Sequence, residues 1–197
     1  FLHIVLQRKE FWRKYSLFLK ARFTLFFNNL YMGKYTKVTA LYFSPTHTTK
    51  KVVEQIASSL ATILGIGCGS LDITTPQSRK QQITFNSNDI VIFGSPVYIG
   101  RLPNLISPYF KTFVGNGATA VAVVVYGNRA YDDALAEARD ILASDGFKCV
   151  AAAAFVGEHS FSRILGGGRP DVADLALASE YAERIYEKLS GNGAGEE

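Results

Sequence analysis

The chain has 197 residues, 48 % of them apolar and 19 % charged, and a net charge of +4. That composition excludes a disordered chain and suits one domain with a full core, with room for an appendage. The charge is uneven: residues 1–31 carry a net +5 and the rest a net −1. The body therefore lacks a basic footprint, and no nucleic acid is expected as a partner.

The first segment, FLHIVLQRKEFWRKYSLFLKARFTLFFNNLY, is aromatic and basic, and Lys20 and Arg22 interrupt its apolar runs. It is too broken to span a bilayer and has no small-residue cleavage site after a clean apolar core. Two readings fit it. One is an amphipathic helix that lies on a membrane or docks a partner. The other is sequence outside the native protein, read from upstream of a start at Met32, the single methionine of the chain. The second is preferred, so membrane contact is expected only if residues 1–31 are native. The expected organisation is this segment, one domain over 32–190, and a flexible tail over 191–197.

From Val38 onward the sequence alternates between strand and helix patterns. VTALYF (38–43) is a β-rich run. Thr48 to Leu64 sets Val52, Val53, Ile56, Leu60 and Ile63 or Leu64 on one helical face, and Gly65-Ile66-Gly67 ends it. CGSLDIT (68–74) is a second strand, and 74–88 is a loop or a poor, short helix. DIVIFGS (89–95) is apolar almost throughout, as a strand buried on both faces should be. The pattern predicts a helix from about Leu102 to Val114, then the strand ATAVAVVVYG (118–127). A helix from Asp132 to Ala143 and the strand FKCVAAAAFVG (147–157) follow. Pro170-Asp171 opens a last helix, with a core stripe of Val172, Leu175, Ala178, Tyr181 or Ala182, Ile185 and Leu189. Cys68 and Cys149 form no C-x-x-C pair, so free thiols in a reduced, cytoplasmic protein are expected.

Five strands separated by helices predict an α/β three-layer sandwich: a five-stranded parallel sheet, order 2-1-3-4-5, covered by helices on both faces. Such sheets bind ligands beyond the carboxyl ends of their strands, where the winding reverses. Strand 1 ends in Ser44-Pro45-Thr46-His47-Thr48-Thr49, directly before a helix. Hydroxyls and unpaired amides at a helix N-terminus favour a phosphate, although plain N-capping by Thr46 or Thr48 would use the same residues. Strand 3 ends in Gly94-Ser95-Pro96-Val97-Tyr98-Ile99-Gly100-Arg101-Leu102-Pro103, a loop pinned by glycines and prolines. Strand 4 ends in Tyr126-Gly127-Asn128-Arg129-Ala130-Tyr131. Tyr98 and Tyr131 beside one crevice suggest a flat ligand between two rings.

These three loops together resemble a flavodoxin-like family, closest to the flavodoxin half of bacterial proteins that carry a ferredoxin half after it. G-E-H-S-F-S (157–162) and G-R-P-D (168–171) add to the resemblance, which runs from about Val38 to Leu189. It implies that FMN is the cofactor, with Ser44, Thr46, Thr48 and Thr49 on its phosphate. Ser95, Pro96, Val97 and Tyr98 would border the isoalloxazine, Gly127 and Asn128 would face its pyrimidine edge, and Tyr131 would stack on one face. Arg129 either tunes the flavin from the pyrimidine side or points to solvent.

His47 departs from the family pattern, which commonly has Gly there; it either adds a cationic donor to the phosphate or faces water. The near-neutral body differs from the strongly acidic free flavodoxins, and no run of four cysteines follows the last helix. An acidic pair after strand 1, a Cys-x5-Arg phosphate loop and a G-x-G-x-x-G fingerprint are all missing, which disfavours other residents of this fold class. The leading expectation is an FMN electron carrier whose partner is a redox protein of ferredoxin or iron–sulfur type; a carrier needs no catalytic acid or base and no metal. An FMN-dependent NAD(P)H or quinone reductase is the alternative, with Glu158 and His159 as proton donors rather than loop braces. A flavin-free binding module is the third.

Overall fold

The computed structural model describes residues 33–162 and 164–191, so the expectations for 1–31 and for most of the tail lie outside the described residues. In chain order the elements are β1 (Lys37–Tyr42), α1 (Thr48–Leu64), β2 (Gly67–Asp72), β3 (Asp89–Pro96), α2 (Ser107–Phe110), β4 (Thr119–Tyr126), α3 (Ala134–Ser144), β5 (Lys148–Val156) and α4 (Val172–Leu189). The strands form one parallel sheet in the order β2-β1-β3-β4-β5. The winding reverses between β1 and β3, which places the switch point at their carboxyl ends.

Strand side chains alternate between two cores, as a period of two requires. Val38, Ala40, Tyr42, Ile90, Ile92, Val121, Val123 and Val125 pack under α1 and α4. Leu41, Val91, Phe93, Ala120, Ala122 and Val124 pack on the opposite face, against α3 and the β3–β4 connection. β3 and β4 are buried along nearly their whole length because both faces are covered. Each large aliphatic removed from water here contributes roughly 1.5–3 kcal/mol.

α1 has the predicted face: Val52, Val53, Ile56, Ala57, Leu60, Ala61 and Leu64 are buried. It stops where Gly65 turns left-handed and Ile66 N–H returns to the Ala61 carbonyl. α4 starts from a capping box in which Asp171 and Asp174 each accept the other's backbone N–H. Asp174 also accepts Nε of Arg169 at 2.7 Å, and this cation holds its carboxyl below the usual range. Because Asp174 takes the buried position of the first turn, Val172 is exposed and does not join the core stripe.

The predicted helix over 102–114 is reduced to one turn, Ser107–Phe110. Pro103 and Pro108 have no N–H to donate, and Ile106 and Ser107 both turn back onto the Pro103 carbonyl. Leu102, Ile106, Phe110 and Phe113 are nonetheless buried, so the apolar spacing is satisfied by turns rather than by a helix. Phe110 meets Phe93 edge-on, with ring centroids 5.0 Å apart. The polar stretch over 74–88 holds only a short 3-10 turn, Gln77–Arg79. Both cysteines are free; Cys68 is exposed on the edge strand β2, and burial raises the Cys149 thiol pKa. Among the described residues no helix is long and apolar enough to cross a membrane, and no His, Cys, Asp and Glu cluster could hold a metal.

Candidate functional site

The chain leaves β1 through Phe43, whose N–H donates to the Gly94 carbonyl of β3. Ser44 is buried and doubly engaged: its N–H donates to Thr74 Oγ1 and its Oγ accepts from Lys50 N–H, both at 3.0 Å. The His47 N–H closes the turn on the Ser44 carbonyl. His47 is the N-cap of α1, with φ 63° and ψ 1°, and its side chain makes no capping bond. The amides of Thr46, Thr48 and Thr49 have no acceptor among the described residues.

Side chains reinforce that free N-terminus. Thr46 Oγ1 and Thr48 Oγ1 stand 3.1 Å apart at the surface. Thr49 is 0 % exposed, and its Oγ1 has no partner although burial of a bare hydroxyl is costly. No acidic residue lies in the first turn, where Lys50 and Lys51 follow instead. Helix dipole and side chains thus have the same sign at this point, and an anion would relieve both.

Gly94 sets how deep α1 sits. A Cβ there would stand 2.2 Å from Val53 Cγ2 and 3.0 Å from Thr49 Cγ2, so only glycine allows the helix to approach β3 so closely. Beyond it, Ser95 is buried while Pro96 and Val97 are half-buried, with Val97 N–H held by the Val125 carbonyl. Tyr98 and Arg101 exchange backbone bonds across a two-residue turn in which Ile99 (φ 52°) and Gly100 (φ 73°) are both left-handed. Glu137 of α3 fixes this loop, accepting from Arg101 Nε and Leu102 N–H at 3.0 Å each.

After β4, Gly127 is closely approached by its own chain: a Cβ there would stand 2.7 Å from His159 Cδ2. Asn128 is left-handed at φ 56° and donates its N–H to the Tyr126 carbonyl. Arg129 is exposed with no partner among the described residues. Tyr131 is 39 % exposed and packs edge-on against Tyr126 at 5.4 Å; Tyr98 is 41 % exposed. Each ring therefore keeps area free toward solvent at the carboxyl edge of the sheet.

Sequence reasoning brought the loop after β5 to the site only through Glu158 and His159, as proton donors or loop braces, and did not foresee its contact with α1. Gly157 lies against the first turn of α1, since a Cβ there would stand 3.4 Å from Thr48 Cβ. Glu158 Oε2 accepts from Gly168 N–H and His159 Nδ1 accepts from Phe161 N–H, so both groups brace this loop. The motif at 157–162 marked the segment as special, but its contact with Thr48 joins residues more than a hundred positions apart. The Thr74 brace on Ser44 likewise joins two segments, 30 positions apart, that meet only in the folded sheet.

No protein-family model matches the sequence, and no curated protein matches it. Solved structures do match by fold. An archaeal flavodoxin superposes with a TM-score of 0.53 at 14 % identity, covering 78 % of this chain and 99 % of that one. A flavodoxin of Streptococcus pneumoniae TIGR4 gives 0.54 at 16 % identity, covering 78 % and 99 %. The apo form of an NADH:FMN oxidoreductase gives 0.56 at 16 % identity, covering 79 % and 89 %. The chain has the flavodoxin-like fold, a five-stranded parallel sheet in the order 2-1-3-4-5.

Proposed function

We propose that this domain binds FMN at the switch point and passes electrons through it. The observation that carries the reading is the start of α1: free amides at Thr46, Thr48 and Thr49, and a buried Thr49 hydroxyl without a partner. Those donors fit a terminal phosphate, which would satisfy the orphaned hydroxyl. The half-exposed rings of Tyr98 and Tyr131 on the loops after β3 and β4 fit a planar ring system. The group supplies one- and two-electron chemistry when bound. The chain's own task is to hold it: Thr46, Thr48 and Thr49 donate to the phosphate, and Ser95 to Tyr98 border the ring. Asn128 and Arg129 supply polar groups at its other edge.

Glu158 Oε2 and His159 Nδ1 accept from backbone amides of their own loop, which supports the loop-brace role for both. A redox protein of ferredoxin or iron–sulfur type is the partner we propose on the sequence resemblance. The test is the absorption spectrum of the purified chain after incubation with FMN, with the bound flavin released and identified. Recovery of FMN is expected. Recovery of FAD alone, or of no flavin, rejects the reading, and steady NADH or NADPH oxidation by the loaded protein replaces the carrier with a reductase.

A further inference from the structure

His47 bears a side chain in a conformation that favours glycine. Left-handed backbone costs an ordinary residue on the order of 1 kcal/mol, and such strain persists where the surroundings or a function require it. The fold does not use the imidazole: it is exposed, makes no capping bond and has no partner among the described residues. It stands on the turn that presents the unpaired amides of Thr48 and Thr49, with Lys50 and Lys51 following. Independently of that turn, Thr49 Oγ1 is fully buried without a partner in the same first turn. The Thr49 methyl lies toward Gly94, and the hydroxyl is the other branch of the side chain. A buried hydroxyl left unpaired beside free amides is accounted for by a polar ligand group that completes it.

We propose that His47 is a specificity residue of this site, donating an imidazole N–H to the phosphate and thereby selecting phosphorylated over unphosphorylated ligands. The inference rests on the FMN reading and adds to it a residue that makes the phosphate end selective. His47 directly precedes Thr48, on the turn that presents the Thr48 and Thr49 amides, and its exposed imidazole is committed to no other group among the described residues. Its donor adds to theirs without the loss of a capping bond elsewhere. A flavin without phosphate offers this donor nothing.

His47→Gly and His47→Asn both suit left-handed backbone and remove the imidazole. Affinities for FMN and riboflavin, and thermal stabilisation by inorganic phosphate, are measured on the parent and both variants. A lost hydrogen bond to a charged group predicts FMN binding weakened by roughly tenfold with riboflavin binding unchanged. The His47→Gly apoprotein should melt no lower than the parent, since strain is relieved. Phosphate should raise the melting temperature of the parent more than that of either variant. Equal weakening of FMN and riboflavin, or unchanged FMN binding, overturns the role of His47. If no flavin binds the parent, the FMN reading fails by itself. The phosphate arm then decides for His47: a parent-specific rise upholds it, and equal responses overturn it.

Discussion

Thr49 sets two demands against each other in one hydroxyl. Its methyl is needed where α1 meets Gly94, whereas its Oγ1 is buried with no partner. In a protein without ligand that hydroxyl is a liability, because an unsatisfied buried group costs about 1–3 kcal/mol. Thr49→Val keeps the shape and removes the liability, so the apoprotein should be as stable as the parent or more so in urea unfolding. FMN binding should weaken by roughly 1–3 kcal/mol, since a charge-assisted bond to phosphate is lost. Thr46→Ala and Thr48→Ala should each weaken binding to a similar degree with little change in stability, as both hydroxyls lie at the surface. A destabilised Thr49→Val apoprotein with unaltered FMN affinity would return the hydroxyl to a structural role.

At the scale of elements, the glycine that seats α1 and the carboxylate that ends α3 are the sharpest tests. Gly94→Ala must push Val53 or the whole first turn away from β3, because the added Cβ would stand 2.2 Å from Val53 Cγ2. Overpacking of this kind costs typically 1–3 kcal/mol, and both melting temperature and FMN affinity should fall together. Asp145 follows the last turn of α3, where the helix dipole disfavours an anion, and its Oδ2 is buried without a partner. Desolvation raises its pKa to about 6, with Lys111 opposing in part. Between the unfolded value and pH 6 the folded state holds a proton that the unfolded state releases, so stability falls as pH rises through that window. Asp145→Asn should therefore match the parent below pH 4 and exceed it above pH 6. The gain should be on the order of 1 kcal/mol after allowance for solvent screening, read from urea unfolding at both pH values. The strands and α1 were legible in the sequence because their apolar periods agree with their turn residues. The segment over 102–114 was not: Leu102, Ile106, Phe110 and Phe113 keep helical spacing, yet Pro103 and Pro108 remove the donors a helix needs. The donor loop after β1 was legible for the same local reason, since strand, hydroxyls and helix follow one another directly. The braces from Thr74, Glu137 and the loop after β5 were not, because each joins segments far apart in sequence whose approach depends on the finished sheet.

For the whole molecule the question is which residues the fold requires. Every strand and helix described lies between Lys37 and Leu189, and the switch point is built from the ends of β1, β3 and β4 within that span. The superposition on the archaeal flavodoxin uses 78 % of this chain to cover 99 % of that one, so a complete domain of this fold is accommodated with about a fifth of the present chain left over. The first segment also differs from the body in chemistry, with a net +5 over residues 1–31 against a net −1 for the remainder. A chain that begins at Met32 is therefore expected to fold on its own and to bind FMN with the affinity of the full chain. Circular dichroism melting and fluorescence titration with FMN, run side by side on both proteins, check this. Matching melting temperatures and dissociation constants would confine fold and site to the body. A short chain that is unfolded or binds FMN measurably more weakly would make residues 1–31 part of the domain, and the basic, aromatic segment would then have to pack against the body rather than serve a separate purpose.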